Sequence, residues 1–314
     1  MLEGVFDIGL SSLMDVIGLA KELTPVDQSS VNLDVHLVGV RRRVKTAQGL
    51  SVPVKLASEL PPADVVLIPA LSAKLPAALE EALGRRDVKE LSKLITRWAA
   101  AGASVSAACT GTFILAETGL LDGQRATTSW WLSAFFRQRY PLVVLDESQM
   151  LVNSACYTTA GAALAHLDLG LGVVRNVSPS LASMCARYLL IEPRSSQAVF
   201  IIPDHVAHAD PLVERFEQWA RDNIALGFSL RDAARAIATS ERTLGRRLQS
   251  VLGKSPLAYF QDLRVERAVH LLQTTSQSVE RISEQVGYSD GATLRELLRN
   301  KLGKGVRELR ERQV

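Results

Sequence analysis

One cysteine in this sequence stands where its side chain could act as a nucleophile. Cys109 follows an apolar run, residues 103–108, that predicts a buried strand, and it precedes a helix predicted from Thr112. A side chain at such a sharp turn projects over the edge of the sheet, and a helix N-terminus favours the thiolate form of cysteine. A small, unreactive cysteine packed in the turn explains the same local pattern equally well. The flanking sequence therefore leaves a catalytic cysteine and a structural one open.

A cysteine nucleophile needs a neighbouring base or cation in order to react near neutral pH. The histidines considered for this role are His36, His166, His205 and His208. His166 lies on a helix predicted to pack against the sheet, so we interpret it as structural. His205 and His208 lie in a segment predicted to link two domains and to face water. We therefore expect no catalytic residue in this part of the chain.

Exposed arginines are predicted on two short helices near the C-terminal end. Leu244 and Leu248 mark the inward face of the first of these helices, and Leu294, Leu297 and Leu298 that of the second. Arginine binds guanine O6 and N7 in bidentate fashion or grips phosphate. The residues that we expect at a DNA interface are Ser240, Glu241, Arg242, Gly245, Arg246 and Gln249 in the first helix and Ser289, Asp290, Ala292, Arg295, Glu296 and Arg299 in the second.

The elements that position these arginines form an internal repeat of two helix-turn-helix units. Ser229 and Ser240 are predicted to cap the two helices of the first unit, and Ser278 and Ser289 those of the second, with 11 residues between caps in both. A connecting helix is predicted from Pro256, since proline is favoured at the first helical position. A glycine is predicted to end each second helix. A helix-turn-helix presents its second helix to the DNA major groove.

Charge is segregated in the same way as the repeat. Residues 229–314 contain 16 Lys and Arg against 10 Asp and Glu, a net charge of +6, whereas the whole chain carries +3. The remaining residues therefore carry −3, and the positive charge lies in the segment predicted to bind DNA. A small helical bundle with solvated arginines is the alternative, and it leaves the agreement of repeat, caps and charge unexplained.

The first two thirds of the chain alternate predicted strands with predicted helices. Strands are predicted over residues 33–40, 63–69, 103–108, 142–145 and 150–153, and helices over 10–23, 88–101, 112–117, 159–175 and 180–190. This alternation predicts an α/β domain with a mostly parallel sheet. Residues 193–228, with Pro193, Pro203 and Pro211, predict a final strand and a linker. We expect an α/β domain over residues 1–210 and an all-α domain of two helix-turn-helix units over residues 211–314.

Composition limits the class of protein. The 314 residues are 47% hydrophobic and 22% charged, which is typical of globular domains. The cysteines Cys109, Cys156 and Cys185 are too scattered for a disulfide framework or a zinc site, so we expect no metal ion and no cofactor. Residues 102–121 contain one charge, Glu117, but their Gly, Ser and Thr content favours a buried strand and helix over a membrane span. No signal peptide is evident.

The C-terminal repeat resembles the DNA-binding domain of the AraC/XylS transcription regulators. The resemblance covers about 85 residues. It is carried by Ser240-Glu241-Arg242-Thr243-Leu244-Gly245-Arg246-Arg247-Leu248, Leu252-Gly253-Lys254-Ser255-Pro256, Leu263-Arg264, Arg267-Ala268, and Ile282 through Val286-Gly287-Tyr288-Ser289-Asp290. The last recognition helix departs from the family, which usually has two phenylalanines there and Ser-Pro after the final glycine. This chain has Leu294, Leu298 and Lys304-Gly305.

The N-terminal part resembles the ThiJ/PfpI, or class I glutamine amidotransferase-like, domain. The matching residues are Cys109-Thr110-Gly111, Leu115-Ala116, Gly119-Leu120-Leu121-Asp122-Gly123, Ala126-Thr127-Thr128, Trp130, Thr159-Ala160-Gly161, Leu167-Asp168-Leu169 and Arg194. Thr110 and Ser129 stand where a histidine is common, and Asp7 stands near the early glutamate of the family enzymes. Gly4 already falls in the loop after the first family strand. We therefore expect a truncated or mis-started chain and a sheet that lacks an edge.

Together the two resemblances point to the GlxA-type regulators. They imply a cytoplasmic, homodimeric regulator that binds double-stranded DNA sequence-specifically, usually as an activator, with RNA polymerase as a further partner and no membrane. They also imply a small-molecule effector, for which we expect a nitrogen-containing metabolite in a pocket formed by Asp7, Cys109, Thr110 and Ser129. The alternative is a cysteine-dependent hydrolase or hydratase of the ThiJ/PfpI type with a DNA-binding appendage. A ligand-free architectural DNA binder is a third interpretation.

Overall fold

In a computed structural model, the chain forms two units. The structure describes residues 1–27, 32–192, 194–201 and 210–310. The first unit comprises Met1–Leu132 and Arg139–Gln197, and the second comprises Ser133–Gln138 and Ala198–Val314. The domain boundary near Pro211 stays a prediction. His205, His208, Pro193 and Pro203, which we assigned to a linking segment, lie outside the described residues.

The described elements up to residue 190 alternate strands and helices, as expected. The strands are β1 (Val38–Gly39), β2 (Arg43–Lys45), β3 (Ser51–Pro53), β4 (Lys55–Leu56), β5 (Val65–Ile68), β6 (Ser104–Ala108), β7 (Arg125–Ala126), β8 (Val144–Leu145), β9 (Leu151–Ser154) and β10 (Tyr157–Ala160). The helices are α1 (Asp7–Asp27), α2 (Pro76–Gly84), α3 (Arg86–Ala100), α4 (Gly111–Ala116), α5 (Ser133–Arg139), α6 (Ala165–Val177) and α7 (Pro179–Tyr188).

The central sheet has four strands in the order β5-β6-β10-β9. Strand β6 pairs in parallel with β5 and with β10, whereas β9 runs antiparallel to β10. Val105 and Ala107 in the middle of β6 are fully buried, as strands covered on both faces require. The prediction of an α/β fold with a mostly parallel sheet is confirmed. Strand β5 stands at one end of the strand order, and β1 pairs with β4 in a separate two-stranded sheet.

One predicted strand and one predicted helix were wrong in extent. The strand predicted over residues 33–40 is confined to β1. Residues 159 and 160, which we predicted to open a helix, belong to β10 instead, and α6 begins only at Ala165. Tyr157, Thr158 and Thr159 favour a strand. A left-handed residue, Ala155 with φ 52°, closes the turn from β9.

The inward face of α1 also differs from the prediction. Leu13, Ile17 and Leu23 are buried as expected, whereas Leu10 is half-buried and Met14 is 36% exposed. Small residues on α1 are buried instead, because α1 packs closely against α6 and α7. The contacts with α6 and α7, rather than the pattern of large apolar residues in α1, therefore determine which face of α1 is buried.

The second unit is mostly helical over the described residues 211–310. Its helices are α8 (Pro211–Asp222), α9 (Leu230–Ala236), α10 (Glu241–Leu252), α11 (Pro256–Thr274), α12 (Val279–Gln285), α13 (Gly291–Leu302) and α14 (Val306–Arg310). Helices α9 and α10 form the first helix-turn-helix, α12 and α13 form the second, and α11 connects them. The prediction of two helix-turn-helix units is confirmed.

The structure confirms that polar side chains cap the helix N-termini and that glycines end the two recognition helices. The side chains of Ser229, Ser240, Ser255 and Ser278 each accept a hydrogen bond from the backbone N–H three residues further on. At α13 the cap is Asp290 rather than Ser289, with the same geometry. Gly253 and Gly303 end α10 and α13 in the left-handed conformation, both with φ 66°. These caps satisfy backbone groups that a helix end leaves unpaired.

Helix α8 corrects the prediction of a linker, which was wrong for residues 211–222. Its apolar residues Val213, Phe216 and Ala220 recur at helical spacing and are fully buried. Five aromatic side chains pack together around it: Phe216, Trp219, Phe228, Tyr259 and Phe260. The core of the first helix-turn-helix is therefore completed by a helix that precedes it in sequence.

The second helix-turn-helix has an aliphatic core. Ile282, Val286, Leu294 and Leu298 are fully buried against α11 and α14. Leu297, which we predicted to face inward, is only partly buried. Leu294 and Leu298, which stand where the family usually has phenylalanines, are thus fully buried. Helix α11 contributes side chains to the cores of both helix-turn-helix units.

Candidate nucleic-acid interface

The first recognition helix, α10, exposes most of its predicted DNA-binding side chains. Leu244 and Leu248 are fully buried, which leaves Arg242, Arg246 and Gln249 exposed on the other face. Neither of these two arginines forms an ion pair with any residue that the structure describes. Their guanidinium groups are therefore available for base edges or phosphates.

The start of α10 combines a cap with exposed polar groups. The hydroxyl of Ser240 accepts a hydrogen bond of 3.1 Å from the Thr243 N–H and donates one of 2.8 Å to the Thr243 hydroxyl. Glu241 is exposed and lies 3.9 Å from Arg231, and Gly245 is half-buried. Ser240 thus has a structural role in capping, and a DNA contact by Ser240, Glu241 or Gly245 stays a prediction.

A neighbouring arginine on α10 is engaged within the protein. Arg247 donates to the carboxylate of Asp210 at 2.5 Å, and Asp210 also caps α8 and is 3% exposed. Burial raises the pKa of Asp210, but the hydrogen bonds from Arg247 and from two backbone N–H groups outweigh it and hold this pKa below its usual value. Arg247 therefore links α10 to the N-terminal end of α8.

The second recognition helix, α13, presents a different surface. Ala292, Glu296 and Arg299 are exposed as predicted. Arg295 is also exposed, but its guanidinium donates to Glu280 of α12 at 2.7 Å. Asp290 accepts hydrogen bonds from the backbone and hydroxyl of Thr293, and these bonds lower its pKa. Ser289 donates to Asp290 at 3.2 Å. Arg295 is thus bound within the protein, which sequence spacing did not reveal, and a DNA contact by these residues of α13 stays a prediction.

The turn between α12 and α13 is held by an arginine of the connecting helix. The Arg264 guanidinium lies 4.8 Å from the ring centroid of Phe260 and 5.0 Å from that of Tyr288. It donates to the backbone oxygens of Ile224 and Leu226. Arg264 therefore joins the segment after α8 to the turn of the second helix-turn-helix. Its partners lie far away in sequence, so no local pattern pointed to this role.

Cys109 occupies the predicted turn between β6 and α4. Its φ of 56° is a left-handed value that is uncommon for cysteine. The Cys109 Sγ lies 2.8 Å from the Ser129 hydroxyl, and the side chain is buried. Burial raises the pKa of the thiol, and hydrogen bonds from Ser129 and from backbone N–H groups offset this only in part. The arrangement favours a neutral thiol near pH 7.

Both ring nitrogens of His166 form hydrogen bonds to backbone groups. Its Nε2 accepts from the Ala70 N–H at 3.1 Å and its Nδ1 bonds the Ala163 carbonyl at 2.5 Å. Burial lowers the pKa of His166 to about 4, so the ring is neutral at ordinary pH. Both ring nitrogens are occupied, which supports the structural interpretation. His36 pairs with Asp34 at 3.1 Å. In the described part of the first unit, no histidine hydrogen-bonds to Cys109.

The four residues of the predicted effector pocket have these surroundings. Cys109 contacts Ser129, and the Thr110 hydroxyl donates to the Leu71 carbonyl at 2.7 Å. One carboxylate oxygen of Asp7 accepts from the Gln48 N–H at 3.1 Å, whereas Oδ1 is buried without a hydrogen-bond partner among the described residues. None of the four lines the cavity of about 490 Å³ that lies between α1, α3 and residues 32–38 and 60–69. The effector pocket at Cys109 stays a prediction.

Among the residues that the structure describes, no helix is both long enough and apolar enough to cross a membrane.

Comparisons with known proteins found similarity to both units. A family model described as a helix-turn-helix domain matches residues 233–312. The HTH-type transcriptional regulator ArgR of Pseudomonas aeruginosa is 29% identical over 242 residues, which are 76% of this chain and 71% of the relative. The HTH-type transcriptional regulator GbdR of the same species is 26% identical over 192 residues, 60% of this chain. The chain spans 52% of the length of that relative.

A solved structure extends the likeness to the α/β unit. The crystal structure of an AraC family transcriptional regulator from Pseudomonas putida aligns with a TM-score of 0.50 and 19% identity. The alignment covers 60% of this chain and 95% of that one. This share exceeds the length of the second unit, so the likeness includes the α/β unit. At this identity the alignment shows a shared fold.

Proposed function

We propose that the chain is an AraC-type transcription regulator with a ThiJ/PfpI-like α/β domain, that its second unit binds a specific double-stranded DNA site and that its first unit controls this binding. In this proposal the protein is a cytoplasmic homodimer that activates transcription through RNA polymerase. The observation that carries the proposal is the exposure of Arg242 and Arg246, which form no ion pair with a described residue, on a recognition helix whose opposite face is fully buried.

The effector site is proposed at Cys109, Ser129, Thr110 and Asp7. The chain brings the elements of these residues together around residues 70–71, because the Phe6 N–H donates to the Ala70 carbonyl and the Thr110 hydroxyl donates to that of Leu71. The Oδ1 of Asp7, which has no hydrogen-bond partner in the described part of the chain, offers an acceptor to a ligand N–H group. This acceptor agrees with a small nitrogen-containing effector.

The test of DNA binding is the pair of substitutions Arg242→Ala and Arg246→Ala. If an arginine reads a guanine, its loss should cost about 1–3 kcal/mol, or roughly five- to 150-fold in affinity, and relax discrimination at one base pair. If it grips phosphate, binding should weaken on all duplexes and the salt slope should fall by about one unit. Gel shifts at fixed salt, on duplexes selected from a random library with the full chain, measure both.

The matched control for these variants is Arg215→Ala. Arg215 is an exposed arginine on α8, outside the helix-turn-helix units, and it carries the same charge. The control should keep wild-type affinity. Unchanged affinity in both recognition-helix variants would remove the basis of the proposed interface.

We propose further that the first unit is not an enzyme, so Cys109→Ser should leave promoter binding and regulation intact. The positive φ of Cys109 at a strand–helix turn is the one observation that favours the hydrolase or hydratase alternative. The raised pKa of its thiol and the occupied ring of His166 oppose it. Serine keeps the hydrogen bond to Ser129 and removes the nucleophilic sulfur, so it tests chemistry separately from packing.

The measurement is a thiol titration together with an activity screen. Cys156→Ser serves as the control, because Cys156 is an exposed thiol that should dominate the reactivity of the folded protein. Suppose that Cys109 instead titrated well below the usual value of about 8.5. If Cys109→Ser also abolished turnover of an amide, isonitrile or dicarbonyl substrate, the alternative function would be correct.

A further inference from the structure

One carboxylate in the second unit binds two lysines that belong to different helix-turn-helix units. Asp262 lies on the connecting helix α11. Its Oδ2 accepts from the Lys254 ammonium at 2.9 Å, and its Oδ1 accepts from the Lys301 ammonium at 2.7 Å. The Asp262 side chain is 18% exposed, and the lysines are 31% and 37% exposed. The bridge is therefore partly shielded from solvent.

The two lysines mark the same end of the two recognition helices. Lys254 follows Gly253, the residue that ends α10, and Lys301 lies in the last turn of α13. A single carboxylate thus joins the C-terminal ends of both helices to one point on α11. Cations are stabilised at the C-terminal end of a helix, so both ammonium groups also interact favourably with the helix ends that they hold.

The aliphatic core of the second helix-turn-helix does not join α10 and α13 directly. The aliphatic core around Leu294 and Leu298 contains residues of α11, α12, α13 and α14, and none of α10. Each recognition helix therefore packs on α11 through its own core. Arg264 fixes the turn that precedes α13, at the N-terminal end of this helix. Asp262 acts at the opposite end of that helix.

We infer that Asp262 is a positioning residue that sets the distance and angle between the two recognition helices, and so the spacing of DNA elements that the protein accepts. This inference rests on the proposed function. The carboxylate also keeps the Lys301 ammonium group from binding phosphates. Its removal should therefore loosen the spacing requirement and strengthen binding to unrelated DNA.

The experiment compares the full chain with Asp262→Asn, which keeps the side-chain shape and removes the charge. The probes are the duplex obtained by selection from a random library and two derivatives, with one base pair inserted or deleted between the half-elements. Affinities are measured at fixed salt. We expect wild type to bind the derivatives about tenfold more weakly and the variant about threefold more weakly, a size typical of coupling between contacting groups. The salt slope on unrelated DNA should rise by up to about one unit, the value for one released lysine.

Two further variants separate positioning from general stability. Asp232→Asn makes the same charge change at an exposed site on α9, and it should keep the wild-type spacing penalty. Lys301→Gln breaks the α13 side of the bridge only, and it should reduce the spacing penalty as Asp262→Asn does. Any lost phosphate contact in Lys301→Gln weakens all three duplexes alike and leaves their ratio unchanged. This variant also serves as the test if Asp262→Asn fails to fold.

The outcomes are distinct. A spacing penalty in Asp262→Asn and Lys301→Gln equal to that of wild type overturns the inference. So does a uniform loss on all three duplexes, because that is the result of a smaller folded fraction. If selection with the wild-type chain enriches no duplex at all, the proposed function fails, and the inference fails with it. A smaller penalty in both variants, with the Asp232→Asn control unchanged, supports the bridge as the determinant of spacing.

Discussion

Inserting half a helical turn, about 5 base pairs, between the two half-elements of the DNA site should abolish tight binding. The two recognition helices are joined by α11, a continuous helix of 19 residues, and both cores include its side chains. They cannot turn independently, so they should enter successive major-groove segments on one face of the duplex, roughly 10 base pairs apart. The insertion moves the second element to the opposite face. Affinity should fall about 100-fold or more, toward the level of non-specific binding.

The measurement is a footprint and a binding curve for both duplexes, with residues 211–314 and with the full chain. The matched control carries the same insertion outside the half-elements, where affinity should not change. An insertion between two dimer sites should be tolerated better than one within a site. Equal affinity with and without the internal insertion would mean that only one helix-turn-helix binds.

The second half-element should be read less strictly than the first. Arg242 and Arg246 of α10 are unpaired among the described residues, whereas Arg295 of α13 is bound to Glu280. Ala292 and Glu296 offer less base-edge chemistry than arginine. Substitutions of single base pairs in the second half-element should therefore change affinity less than those in the first.

Replacing Gly287 with alanine should destabilise the second helix-turn-helix strongly. Gly287 has φ 81°, which only glycine adopts without strain. An added Cβ would lie 2.2 Å from the Arg264 guanidinium and 2.8 Å from the backbone oxygen of Ile224. Displacing Arg264 would also remove its hydrogen bonds to backbone oxygens. Left-handed strain and overpacking together should lower the free energy of unfolding by about 3 kcal/mol.

The matched control is Gly303→Ala. Gly303 has φ 66°, also left-handed, but nothing lies within 4 Å of the position of its added Cβ. This control should lose about 1 kcal/mol from backbone strain alone. Urea unfolding gives the two free energies, and hydrogen exchange of α12 and α13 locates the loss. Equal losses in the two variants would show that the space beside Arg264 adapts, and that strain alone explains the effect.

The sequence by itself determined the helical part of this protein in detail. A cap such as Ser240 bonds the N–H of Thr243, and a buried face repeats every three or four residues, so both patterns can be read within a single helix. The two helix-turn-helix units, their caps Ser229, Ser240 and Ser278, the outward face of α10 and the segregated charge follow from such local rules. The alternation of strands and helices likewise predicted the α/β fold.

Only the tertiary structure showed which residues bind partners within the protein. Asp210 and Arg247 are 37 residues apart, Asp262 and Lys301 are 39 apart, and Cys109 and Ser129 are 20 apart. No periodicity connects such partners, because their meeting depends on how whole helices and strands pack. The same holds for α8, whose place in the first core is set by aromatic contacts to α11. Sequence patterns thus specify local faces, whereas the pairing that engages Arg247, brings Ser129 to Cys109 and bridges the recognition helices arises from packing between distant segments.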